Sequence, residues 1–212
     1  MTLLVRNYLE SKSEGLDSSP NLKVWIPETG CQMKKQIFQY IVGFTVFLIA
    51  IGYMLPEKLV IPVMGAKTTD WNHQTFWYEP WGKSKVHKGI DIFAKKGTPS
   101  LAATGGVVVY CGKFSMGGNV IAVLGPKWKI HYYAHLESTS VSIGEFVNTS
   151  QTIGAVGNSG NARGKLPHLH YSVITVFPYF WHWDNSTQGW KKMFFINPSE
   201  ILLKGLNRNE KQ

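Results

Sequence analysis

Residues 106–135 read GVVVYCGKFSMGGNVIAVLGPKWKIHYYAH. Three runs rich in β-branched and aromatic residues stand in this stretch: Gly106–Cys111, Asn119–Leu124 and Lys129–His135. Gly117-Gly118 separates the first pair, and Gly125-Pro126-Lys127 the second. Val, Ile and Tyr suit a pleated, half-buried backbone, while glycine and proline supply the turns, so the stretch predicts successive antiparallel strands. The pattern continues on the C-terminal side through Glu145–Val147, Thr152–Val156 and Leu169–Val176 (LHYSVITV). No long amphipathic helix interrupts it between about Val86 and Val176. The predicted fold class is all-β, an antiparallel sandwich or partly open barrel. Beyond it, Pro198–Lys204 (PSEILLK) predicts a short helix with proline in its first turn.

On the N-terminal side, Ile37–Leu55 (IFQYIVGFTVFLIAIGYML) carries no charge over 19 residues. That length crosses a hydrocarbon layer of about 30 Å as a helix. Lys34 and Lys35 precede it, which favours a cytoplasmic N-terminus and an outward C-terminal domain. Tyr53-Met54-Leu55-Pro56 is a poor cleavage context, so the segment reads as an anchor rather than a removed signal. Met33-Lys34-Lys35 has the form of a natural start, and translation from Met33 is the expectation for residues 1–32. The expected division is a cytoplasmic segment 1–36, a transmembrane helix 37–55, a linker 56–85, the β domain 86–204 and a tail 205–212.

The formal net charge is +9 over 212 residues. Residues 1–35 hold five basic and four acidic side chains, so the excess lies in and after the apolar segment. A basic exported domain is drawn to anionic wall polymers or lipid headgroups. The chain has no Lys/Arg cluster interleaved with stacking aromatics, so nucleic acid is not an expected partner. The two cysteines, Cys31 and Cys111, form no C-x-x-C pair and flank the apolar segment on opposite sides, which argues against a thiolate zinc site and an internal disulfide.

The residues suited to chemistry are histidines and one aspartate. His87-Lys-Gly-Ile-Asp91 sets an imidazole and a carboxylate four apart, with Gly89 disfavouring a helix between them. On a strand both share a face, and a bend at Gly89 brings them to one metal. Pro167-His168-Leu169-His170 places two imidazoles on one strand face, a donor type suited to zinc. His131 and His135 also share strand parity; His131 reads as an edge-strand histidine facing solvent, and His73 and His182 as loop residues without a role.

The ordered set H-x-x-x-D, Y-A-H (Tyr133–His135) and GNSGN…PHLH (Gly157–His170) resembles the lysostaphin-like (LytM-type) zinc metalloendopeptidases of peptidase family M23. The resemblance covers roughly Val86–Val176, and Arg163-Gly164-Lys165-Leu166 departs from the short Ser/Thr-Gly loop that family members more often carry. It implies a fold of the duplicated-hybrid-motif type and one Zn2+ per chain held by His87, Asp91 and His170. It implies His135 and His168 as catalytic histidines and peptidoglycan cross-link peptides as substrate; with the anchor, the expected location is the inner (cytoplasmic) membrane, crossed once, with the catalytic domain in the periplasm or outside the cell. A regulatory protein partner is compatible with this. A non-catalytic wall-binding or amidase-activator module is the alternative on the same fold, opposed by the complete set of five residues. A zinc endopeptidase acting on a protein and a membrane tether for transport are further alternatives. Trp71, Trp77, Trp81, Trp181, Trp183 and Trp190 flank the motif region; packing of large aromatics is the expected role, ahead of stacking on sugars. Phe177–Trp183 (FPYFWHW) either walls the cleft or meets a membrane surface.

Overall fold

The computed structural model describes residues 29–209, so the expectation of a start at Met33 falls almost wholly on residues outside them. Helix α1 runs Thr29–Met54, and its Gln32–Met54 portion is long and apolar enough to cross a membrane. It begins earlier than the apolar run because nothing in Gln32–Gln36 opposes helix. It ends where Pro56 removes a backbone donor and disfavours helix at Leu55. Ile37, Phe38, Tyr40, Phe44 and Phe47 are all exposed, and a helix apolar on every side is suited to lipid rather than to one buried face. The chain falls into two compact units that meet inside this helix, between Thr45 and Val46.

The second unit is built from ten strands, all paired antiparallel: β1 (Ile90–Phe93), β2 (Pro99–Leu101), β3 (Gly106–Phe114), β4 (Gly118–Gly125), β5 (Lys129–Leu136), β6 (Ser138–Thr139), β7 (Phe146–Val147), β8 (Thr152–Ala155), β9 (His168–Thr175) and β10 (Phe195–Ile196). The larger sheet has the order β1-β9-β5-β4-β3-β7, with β10 also against β9; the smaller is β2-β8-β6. This is the open antiparallel architecture that the turn spacing predicts. Helix α2 follows at Pro198–Asn209, longer than the predicted Pro198–Lys204.

Alternation decides what each strand buries. On β9, Leu169, Tyr171 and Val173 face inward, as do Ile90 and Ile92 on β1 and Ile121 and Val123 on β4. They meet Ile153 and Val156 from the region of the smaller sheet in one apolar cluster. Each such side chain stabilises the fold by roughly 1.5–3 kcal/mol relative to exposure. Their strand neighbours necessarily point the other way, and that opposite face of β1, β9 and β5 carries the site.

The stretch 56–85, read from sequence as a linker, contributes Leu59, Val63 and Trp71 to the same core, and Val63 bridges Ser100 of β2. Its few large apolar residues are spaced irregularly, so no strand or helix period announced that packing.

Candidate metal centre and cleft

Asp91 of β1 lies directly opposite His170 of β9, and Ala134 of β5 opposes His170 from the other side. His87 reaches the same place from just before β1, through the bend at Gly89. A Cβ at Gly89 would lie 2.4 Å from the Tyr171 carbonyl oxygen and 2.5 Å from Ser172 Oγ, so only glycine permits this approach.

Three atoms converge there. His87 Nε2 is 3.1 Å from Asp91 Oδ1 and 3.1 Å from His170 Nδ1, and His170 Nδ1 is 2.8 Å from Asp91 Oδ1. An ion bound tetrahedrally at about 2.0–2.1 Å needs ligand atoms roughly 3.3 Å apart, so the triangle is close to the size required. Among the described residues this is the one group of His, Cys, Asp and Glu side chains with that convergence. Two imidazoles and a carboxylate form a donor set that suits zinc.

Each ring is oriented from behind. His87 Nδ1 donates to the Thr75 carbonyl at 3.0 Å, which leaves Nε2 for the centre. His170 Nε2 meets Ser172 Oγ at 3.0 Å, which turns Nδ1 inward. Such partners set tautomer and basicity. The Trp81 ring stacks on His87 at 4.1 Å and 21°, closing its outer side. Thr75, Trp81 and Ser172 carried no signal in the sequence pattern, since a backbone carbonyl can come from any residue and the other two act through tertiary position.

His135 and His168 stand beside the centre with ring centroids 5.1 Å apart, and His168 Nε2 lies 3.9 Å from Asp91 Oδ2. His168 Nδ1 donates to the Leu166 carbonyl at 2.8 Å and His135 Nδ1 to the Ser159 carbonyl at 2.9 Å, so both present Nε2 to the open side. His135 adopts φ +64° at the end of β5. This left-handed twist breaks the alternation that it would otherwise share with His131, and it turns the ring into the cleft.

His131 corrects the sequence reading. It does not face solvent: it is fully buried in the core side of β5, with Nδ1 2.6 Å from the Tyr171 hydroxyl and Nε2 4.0 Å from Glu57 Oε1. Strand parity was identical for both histidines, and the backbone twist at His135 separates them. Trp71 is buried, as the packing role requires, but Trp181, Trp183 and Trp190 are exposed. His73 is tied to Ser199 by its Nδ1 at 2.7 Å.

Burial works against the charge on Asp91, yet hydrogen bonds from His170 and His87 outweigh it and hold the carboxyl far below the usual carboxylate range. Burial lowers His135 to about 4, helped by the neighbouring imidazoles of His170 and His168. Burial also lowers His170. Asp91 is thus held as an anion and His170 as a neutral imidazole, the protonation states in which they can bind a cation. The cleft in front has a volume of about 800 Å³, and Trp81, Phe93, Phe114, Met116, Tyr132 and Leu166 give it apolar walls.

An antiparallel β domain with a His–Asp–His triangle in an open groove, flanked by two further imidazoles, is a scaffold of the metallopeptidase kind. Residues 85–179 match the model of peptidase family M23. The L-Ala--D-Glu endopeptidase of Bacillus subtilis is 35% identical over 114 residues, which cover 50% of this chain and 35% of that protein. Peptidoglycan DD-endopeptidase ShyC of Vibrio cholerae is 39% identical over 93 residues, 44% of this chain and 21% of that one. The chain therefore spans about a third or less of the length of these two relatives. The catalytic domain of lysostaphin from Staphylococcus simulans superposes with a TM-score of 0.51 at 26% identity, over 64% of this chain and 95% of that domain. A structure described as a putative glycyl-glycine endopeptidase lytM from Ruminococcus gnavus shares the fold, with a TM-score of 0.55 at 21% identity over 84% of this chain and 72% of that one.

Proposed function

We propose that this chain is a membrane-anchored zinc endopeptidase that hydrolyses peptide cross-links of peptidoglycan on the outer side of the cytoplasmic membrane. The observation that carries the reading is the triangle of His87, Asp91 and His170, with edges of 2.8–3.1 Å, in a groove of about 800 Å³. The family match and relatives named for peptidoglycan endopeptidase activity support the substrate class.

His87, Asp91 and His170 would hold the ion through Nε2, a carboxylate oxygen and Nδ1. When bound, zinc supplies Lewis acidity toward a water and the scissile carbonyl. The chain's own residues do the rest. Thr75 and Ser172 fix the ligand rings so that no reorientation precedes binding. His168 and His135 begin as Nε2 acceptors, because their Nδ1 protons are committed to Leu166 and Ser159. One takes the proton of the attacking water and, once protonated, becomes the donor to the leaving amine. Such acid–base roles contribute roughly 10²–10⁴ in rate each. Phe93, Phe114 and Leu166, exposed along the groove walls, offer apolar contact to a bound peptide.

The test is mass spectrometry of muropeptides after purified peptidoglycan meets the zinc-loaded chain. New peptide termini support the reading. Intact peptides together with less than one zinc per chain would return the domain to the non-catalytic, activator class.

A further inference from the structure

The aromatic insertion after β9 has a place in the fold that its sequence did not reveal. Thr175, the last residue of β9, pairs with Lys129, the first of β5. The connection from β4 to β5 lies at this same end of the sheet, and in it Lys127 and Trp128 both adopt left-handed backbone, at φ +59° and +55°. That conformation is unfavourable for a bulky residue and persists only where surrounding contacts hold it. The Trp128 indole is held by the last turns of α1. Its Nε1 donates to the Ile49 carbonyl at 3.0 Å, and a Cβ at Gly52 would lie 2.2 Å from that nitrogen. Phe177 packs edge-on against Trp128 at 6.1 Å and lies 6.2 Å from Tyr53. Two residues on, Tyr179 stacks on Trp181 at 5.1 Å and 10°.

These contacts fix a depth. In a span that begins at Ile37, a layer of about 30 Å takes roughly 20 residues, so Ile49–Met54 lies in its outer half, with Gly52 and Tyr53 about 6–8 Å below its outer edge. Side chains packed on Gly52 and Tyr53 are therefore at the level of the upper acyl carbons, just beneath the lipid headgroups. The chain from Phe177 continues directly into Phe180, Trp181 and Trp183, which are 69%, 76% and 64% exposed. Neither Trp181 nor Trp183 is among the residues that line the catalytic groove, so they do not wall it. Lys191 follows in the same insertion and supplies positive charge, while Lys192 is paired with Asp184.

We propose that Phe177–Trp183, with Trp128, is a membrane-resting surface. Its aromatic rings are immersed in the interfacial layer of the bilayer that α1 crosses, which seats the β domain on the lipid. Tryptophan and tyrosine favour that layer, where a ring buries its apolar body and keeps its polar edge hydrated. The proposal rests on the spanning role of α1 and adds the contact between domain and lipid. His170 is five residues along β9 from Thr175, about 17 Å at the rise of a strand, so the metal centre is held well back from the membrane-facing end.

The full chain, with Cys31→Ser and Cys111→Ser, is reconstituted in vesicles of phosphatidylcholine and phosphatidylglycerol. A polarity-sensitive fluorophore is placed at Phe180→Cys, at Trp183→Cys or, as a reference, at Phe114→Cys at the far end of β3. A lipid-borne nitroxide is expected to quench positions 180 and 183 severalfold more than 114, and aqueous iodide to quench 114 severalfold more than the other two. Quenching of the unlabelled chain's tryptophans by brominated lipid gives the same reading without substitution. If alkaline carbonate releases the chain, the spanning role fails and the proposal with it. If the chain stays in the membrane and 180 and 183 are quenched by iodide as strongly as 114, the proposal alone is overturned. Shielding from both quenchers would also overturn it, since protein rather than lipid would then cover the patch.

Discussion

Acidification should destabilise the fold through His131, which is buried on the core side of the larger sheet. Burial, reinforced by the charge of Lys129, lowers this imidazole from 6.5 to about 3. A histidine with a depressed folded value binds its proton more readily when unfolded. Its contribution is therefore intact above the unfolded value of 6.5 and is lost progressively as pH falls toward about 3. Each pH unit in that window costs about 1.4 kcal/mol, and the whole window about 5 kcal/mol. His131→Gln keeps an acceptor for the Tyr171 hydroxyl but does not titrate. At pH 7 the variant should be about 1–2 kcal/mol less stable, the usual cost of altering a packed buried residue. At 1.4 kcal/mol per unit, the wild-type chain loses that advantage within about one and a half units below 6.5, so the two stabilities should cross near pH 5. The assay is urea unfolding of both full chains in detergent micelles, followed by tryptophan fluorescence, at pH steps from 7 to 4. Comparing the two chains removes the contributions of His135 and His170, which are depressed in both. Parallel stability curves would refute the reasoning, because they would mean that His131 is protonated as easily in the folded chain as in the unfolded one.

His170→Ala should lose bound zinc, whereas His168→Ala should retain it and lose turnover by roughly 10²–10⁴; metal analysis beside a cross-link cleavage assay distinguishes them, and equal zinc loss in both would show the roles misassigned. Ser172→Ala removes the partner of His170 Nε2, and zinc affinity measured by chelator competition should fall about 10–100-fold with no change in circular dichroism. Ile153→Ala opens a cavity in the core away from the cleft; it should cost about 2–5 kcal/mol in unfolding experiments while zinc stoichiometry stays at the wild-type value.

Much of this site was legible because strand geometry is periodic. His168 and His170 are two positions apart, so their shared face follows from a period of two. Asp91 meets His170 because both strands need Ile90, Ile92, Leu169 and Tyr171 in the core, and that requirement sets the register. What was not legible came from departures from the period. The left-handed backbone at His135 sends it away from His131, although alternation treats the two alike. Thr75 acts through its carbonyl, a group that every residue carries. Leu59, Val63 and Trp71 pack from an irregular stretch, where only the finished core shows what they cover.

Glu57 stands three residues past Met54, the end of α1, yet its side chain is already buried, with Oε2 2.7 Å from Lys129 Nζ at the start of β5. The chain leaves the helix with no slack. An enzyme on a long tether sweeps a volume of wall; one clamped at its first residues after the membrane works at a fixed height and reaches new substrate by lateral diffusion of its anchor. Under the proposed function, cleavage by this domain would be confined to the layer of wall nearest the lipid.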